Sequence, residues 1–146
     1  MNQTMNPTMA GAGQAQGETR IVGGPKRDPS GPGPQIMAAG TLEGNDVYNP
    51  AGESLGSIQD IMLDVPHGRI AYAVLSRGGV LGIGDKLYAI PWSALTLDTD
   101  RKCFVLNVAK EVLKNAEGFD KDNWPSMADE TWARGIHQYY NQPPYW

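Results

Sequence analysis

From residue 41 onward the chain runs in apolar stretches of four to eight residues, each closed by Gly, Pro, Asn or Asp. Short apolar runs bounded by turn formers are the mark of β-strands. Five or six strands are predicted: Thr41–Tyr48, Ser57–Val65, Ile70–Arg77, Leu87–Ile90, Leu95–Asp98 and Cys103–Val108. Period-two reading of the second puts Ile61, Leu63 and Val65 on one face. Ile70–Leu75 is apolar on both sides, as befits a strand inside a closed or covered sheet. Turns are expected at Asn49-Pro50-Ala51-Gly52, Pro66-His67-Gly68-Arg69 and Thr99-Asp100-Arg101-Lys102, where Pro, Gly and Asn or Asp suit tight reversals. Pro91 stops its strand because it cannot donate to a central ladder. Trp92 follows as an expected plug on the core. Ala109–Ala116 holds better helix formers and predicts a short helix capping one end, with Val112 and Leu113 as its apolar face.

The two ends differ from this middle. Residues 1–34 hold seven Gly and five Pro but no Leu, Phe, Tyr or Trp. Such a segment buries too little area to offset ~1–2 kcal/mol of backbone entropy per residue, so residues 1–40 read as a disordered tail. Residues 119–146 read as an aromatic-rich extension, with three of the four Trp and three of the six Tyr inside 120–146. A helix is predicted from Ser126, with Asp129 at capping-box spacing. Met127, Thr131, Ile136, Tyr139 and Tyr140 fall near one side of it. Aromatics this dense bury ~150–250 Å² each when packed, so they wrap the barrel or meet a partner.

Charge and composition narrow the classes. The 146 residues carry a net charge of −4, split as +1, −3 and −2 over 1–40, 41–119 and 120–146. The middle is mildly acidic, so no nucleic-acid partner is expected. The longest apolar run is Ile70–Leu75, far short of the ~20 residues that cross a bilayer, so no membrane insertion is expected. No secretory pattern opens the chain, which suggests a cytoplasmic protein. One cysteine excludes an internal disulfide.

Candidate chemistry is sparse. Gly79, Gly82 and Gly84 superficially suggest phosphate binding, but the dinucleotide fingerprint orders its glycines differently and needs a helix next. The segment reads instead as a loop presenting Val80, Leu81 and Ile83 as a contact surface. His67 and His137 lie in different modules, so no metal site is expected. His67 reads as a solvated turn residue, and His137 as a hydrogen-bonding partner among the extension's aromatics. Asp60, Asp64, Asp98 and Asp100 lack the calcium-loop pattern and read as turn residues. Cys103 reads as a small buried side chain. Gly56 reads as a bulge or a close backbone approach. No catalytic residue, cofactor or metal ligand is assigned.

An ordered set of motifs spans about residues 41–118. It comprises Gly44-x-x-Val47-Tyr48-Asn49; Gly52-Glu53-x-Leu55-Gly56-x-Ile58-x-Asp60; Gly68 to Leu75; Gly78-Gly79-x-x-Gly82-x-Gly84-x-Lys86; and Ile90-Pro91-Trp92-x-x-Leu95. In that order they resemble the PRC-barrel family, known from the cytoplasmic barrel of the photosynthetic reaction centre H subunit and from a bacterial ribosome maturation factor. Residues Phe119–Trp146 are similar to tails on stand-alone bacterial members. The resemblance implies an all-β fold: a small six-stranded antiparallel barrel with a short capping helix and a helix-containing extension. It also implies a non-enzymatic protein-interaction or assembly module. A homodimer or an unknown protein partner is expected, meeting Val80, Leu81, Ile83, Trp124, Trp132, Tyr139, Tyr140, Tyr145 and Trp146. Two further roles are implied. One is an accessory influencing photosynthetic electron transfer; the other is a partner in ribosome maturation.

Overall fold

Seven strands hydrogen-bond into one sheet in the computed structural model, which describes residues 17–23, 33–78 and 86–146. They are β1 (Arg20–Val22), β2 (Asp46–Tyr48), β3 (Ser54–Asp64), β4 (Arg69–Ser76), β5 (Leu87–Pro91), β6 (Leu95–Asp98) and β7 (Cys103–Leu106). Among the described residues three α-helices accompany them: α1 (Ala39–Leu42), α2 (Lys110–Lys114) and α3 (Glu130–Tyr139). The strand order is β1-β6-β7-β2-β3-β4-β5.

The β-rich architecture agrees with the sequence pattern, but the six-stranded antiparallel detail does not hold. The sheet is mixed: β1 pairs parallel with β6 and β2 parallel with β7, while the other four pairings are antiparallel. The cause is the corner at Trp92–Ala94, a single 3-10 turn between β5 and β6. It bends the chain without reversing it relative to the sheet. One reversal is lost, so β7 comes to lie beside β2 running the same way. The same corner rolls the sheet. β5 is one edge and β6 is next to the other, yet only three residues join them, a reach of about 15 Å at most.

The core fills the roll. Ala71, Tyr72, Ala73, Val74, Leu75 and Ser76 are all buried, as are all five residues of β5. Phe104 and Leu106 close it from β7, and Leu113 of α2 is fully buried beneath. Cys103 is buried at the start of β7, as its small size suggested. Gly56 meets its expectation directly: its φ is +139°, and an added Cβ would stand 2.2 Å from the Ser76 carbonyl oxygen. Only glycine tolerates that approach. Trp92 is half-buried rather than a full plug, with its ring edge-on to Phe104 at 5.8 Å.

Two local expectations change. Thr41 and Leu42 belong to the single turn of α1, so the first strand shrinks to Asp46–Tyr48. Gly44, with φ of +85°, separates them. Within the stretch expected to be a tail, Arg20–Val22 forms β1 against β6. Val22 O accepts from Thr99 N at 2.9 Å, and the Thr19 hydroxyl donates to Trp92 O. Backbone pairing needs no large side chains, which is why composition did not reveal it.

The extension folds back onto the sheet. Leu87 and Phe119 exchange two backbone hydrogen bonds, of 2.9 and 2.8 Å, along the outer edge of β5. The α3 helix starts later than predicted. Asp129, not Ser126, is its N-cap, accepting from Thr131 N at 2.9 Å and Trp132 N at 3.4 Å. Ser126 instead closes a preceding turn, its carbonyl accepting from Asp129 N at 3.1 Å. An Asp side chain satisfies orphan amides best from the cap position itself.

Candidate functional site: the cleft between the β3–β4 tip and the extension

Two β-bulges shape the site. The β3–β4 register slips between Ile58 and Asp60 and again between Met62 and Leu63. The first leaves Gln59 of β3 unpaired and the second leaves Ala71 of β4 unpaired. Leu55 and Ile58 are both buried although three residues apart, so no period-two alternation runs through β3. Ile61 and Met62 are half-buried, whereas Leu63 is 63% and Val65 80% exposed. The expected single apolar face over Ile61, Leu63 and Val65 thus runs off the core into solvent at the hairpin tip.

Beside that tip lies an open cleft of about 490 Å³, mostly apolar, lined by Met62, Leu63, Val65, Met127, Tyr145 and Trp146 among others. Asp64 and Glu130 also line it. One wall is the hairpin and the other is α3 with residues 141–146.

The last six residues form a strap turned back at the end of α3. Asn141 takes the left-handed conformation, with φ of +59°. Gln142 N donates to His137 O at 2.8 Å and Asn141 N to Gln138 O at 3.1 Å. Together these make a Schellman termination. Pro143 and Pro144 follow, and then Tyr145 lands on the barrel. Its hydroxyl donates to Asp64 Oδ2 at 3.2 Å, and the Arg69 guanidinium lies 4.5 Å from its ring centroid. An Arg over an aromatic face is attracted by the ring quadrupole. Trp146 is 46% exposed and stands at right angles to the Tyr145 ring.

The titratable groups are tied to this strap. His67 Nδ1 lies 2.9 and 3.0 Å from the two Asp64 oxygens, closing the β3–β4 turn. That bond chiefly holds the Asp64 carboxyl below the usual carboxylate range, with Tyr145 adding to it. Burial pushes the Tyr145 hydroxyl up, and its bond to Asp64 acts the same way. His137 is 1% exposed, its Nδ1 2.8 Å from Ala133 O. Burial holds its pKa below the ordinary 6.5, against the opposing pull of that carbonyl. Three rings surround it: Tyr72 at 5.6 Å, Tyr145 at 5.9 Å and Trp146 at 5.1 Å. Burial likewise pushes the Cys103 thiol up, which disfavours the reactive thiolate.

Among the described residues, those singled out as a contact surface fall in different surroundings. Val80, Leu81 and Ile83 lie outside the described residues. Tyr145 and Trp146 line the cleft. Trp132 is half-buried, edge-on to Tyr72 at 5.4 Å, and Tyr140 is 5% exposed; both pack into the core instead of presenting a surface. Burial pushes the Tyr140 hydroxyl up as well. Trp124 donates to Lys121 O at 2.8 Å and packs on Phe119, away from the cleft lining. Tyr139 is 43% exposed, and its hydroxyl donates to Val112 O. Leu63 and Val65 were missed as surface residues. Their nearest sequence signal was the Val65-Pro66 step, where a strand must end and a side chain can leave the core.

Among the described residues, no three His, Cys, Asp or Glu side chains gather as a metal set. In the same residues, no helix is long and apolar enough to cross a membrane. The family model of the PRC-barrel domain matches residues 34–113, more than half of the chain. A search of the curated proteins finds no match.

Proposed function

The chain belongs to the PRC-barrel family, and from that premise we propose that it is a non-catalytic assembly module whose docking face is the β3–β4 tip with its neighbouring cleft. A second copy of the same chain is the partner. One observation carries this: Leu63 and Val65, 63% and 80% exposed, project as apolar knobs from the wall of a mostly apolar cleft of about 490 Å³. Knob and hole on one face are what a two-fold interface needs, since each copy then supplies both halves. Exposed apolar side chains grouped in this way mark contact surfaces.

The chemistry of the cleft supports a binding role over a reacting one. Its acid–imidazole pair, Asp64 with His67, faces a phenol whose proton is held more tightly than usual. Asp64 is also occupied by two donors, which leaves it a poor general base. These polar groups fix the turn and the strap.

Size-exclusion chromatography with light scattering on the full chain tests the proposal. A dimer or larger species at micromolar concentration is expected, reverting to monomer in the Leu63→Asp, Val65→Asp double variant. Both side chains are solvent-exposed, so the double variant should melt close to the parent. A monomeric parent overturns the reading, and an oligomer indifferent to the double variant moves the interface elsewhere and overturns this face.

A further inference from the structure

The strap over residues 141–146 is held from both sides. On one side Tyr145 reaches Asp64 and Arg69 at the hairpin. On the other, Tyr145 and Trp146 both pack on the His137 ring, and the backbone carbonyl of the same residue accepts a hydrogen bond from Gln142 N. The buried imidazole is therefore the shared packing surface of the strap's two aromatic side chains, while the main chain of the same residue holds the Gln142 amide. A neutral ring fits this place. A charged one must be desolvated among Tyr72, Tyr145 and Trp146, with its Nδ1–H already spent on the Ala133 carbonyl.

The geometry points to a proton-operated strap: protonation of His137 releases residues 141–146 from the barrel and removes the Tyr145–Trp146 wall of the cleft. The release rests on the packing alone. Its consequence for docking rests on the function proposed above.

Other titratable and charged groups lie around the anchor, in contact with it or with the rings that pack on it. From β4 come Tyr72, in ring contact, and Arg69, stacked on Tyr145. From β3 and its turn come Asp64, bonded to Tyr145, and His67, bonded to Asp64. From α3 itself come Arg134, 6.0 Å from the Trp146 centroid, and Glu130, paired to Arg134 at 3.0 Å. The carboxylates of this set reach His137 only through another residue. Asp64 acts through Tyr145, and Glu130 acts through Arg134 and Trp146. Neither is in place to neutralise an imidazolium, and burial sets the direction in which His137 titrates. The folded-state pKa lies below the ordinary 6.5, so the stabilisation is complete above that value. It is lost as pH falls through the folded pKa.

Hydrogen–deuterium exchange on the full chain at pH 7.5 and pH 5.0, corrected for intrinsic rates, tests this. In the parent, the Gln142 amide, bonded to the His137 carbonyl, should lose protection at the lower pH while β4 keeps its own. In His137→Phe, which keeps a ring but cannot titrate, strap protection should be the same at both. A His67→Gln variant should respond as the parent does. The inference is overturned by equal parental protection at the two pH values, by a loss that persists in His137→Phe, or by a response that vanishes in His67→Gln. Should His137→Phe fail to fold, proton NMR of the parent decides. The His137 ring signals and the Trp146 indole N–H must then titrate with one midpoint below 6.5, and separate midpoints overturn the inference. A monomer by light scattering leaves this result standing, and a dimer with a pH-indifferent strap overturns this inference alone.

Discussion

The two long walls of the molecule are held by different kinds of interaction. The β4–β5 wall is a continuous apolar surface: Ala73, Val74, Leu75 and Ile90 have no measurable exposure. The cleft wall, made by the hairpin tip and the strap, depends on one phenol–carboxylate bond, one stacked guanidinium and a buried imidazole. Burial of hydrocarbon is nondirectional and indifferent to pH, and each large side chain contributes about 1.5–3 kcal/mol. Polar contacts net less, and their strength follows protonation. The same chain thus joins a permanent wall to a conditional one, and the conditional wall borders the candidate docking face.

The sharpest way to break the permanent wall is at a backbone contact. Gly56→Ala places a methyl 2.2 Å from the Ser76 carbonyl oxygen at a φ of +139°, where L side chains are strained. Neither strand can yield without giving up β3–β4 pairing. The variant should lose about 4 kcal/mol or more in chemical denaturation, with the strap and barrel failing together. A loss under about 1 kcal/mol would show that the two strands can separate locally and that the wall is not the rigid part. A milder change should split the two walls. Asp129→Ala removes the cap of α3, whose side chain accepts from Thr131 N at 2.9 Å, and should cost about 1 kcal/mol. Exchange protection should fall in α3 and the strap before β4 and β5. Equal loss in all of them would mean that extension and barrel open as one unit.

Much of the permanent wall was legible in the sequence, because a doubly apolar run such as Ile70–Leu75 fits only a covered strand. Gly56 and Cys103 were legible for the same reason, since each has one dominant physical use. The conditional wall was only half legible. Tyr145 and Trp146 were recognised by density of aromatics, but their landing place depends on Asn141 turning the chain and on Asp64 waiting 81 residues earlier. Leu63 and Val65 were assigned to an apolar strand face because period-two reading takes that face to be covered along its whole length, whereas β3 ends at Asp64 and its tip stands beyond the core. The slips at Ile58/Asp60 and Met62/Leu63 were equally invisible. A bulge leaves no compositional mark when neither glycine nor proline makes it. The parallel pairing of β2 with β7 was hidden likewise, being a consequence of one non-reversing corner at Trp92–Ala94.

The smallest expected effect tests how the conditional wall is divided between its two anchors. Asp64 and His137 both titrate below their ordinary values, so both stabilise at neutral pH and both fail toward acid, but in separate windows. The His137 contribution goes first, as pH drops from 6.5. The Asp64 contribution is complete above its ordinary 3.8 and is lost only below it, as pH falls through the depressed folded value. Within the second window the His67 bond is the main cause and the Tyr145 hydroxyl a lesser one. His67→Ala should therefore move the Asp64 carboxyl titration, followed by carbon NMR, upward by more than Tyr145→Phe does. If Tyr145→Phe produces the larger shift, the strap and not the turn governs Asp64, and the two anchors form one coupled unit with a single acid transition.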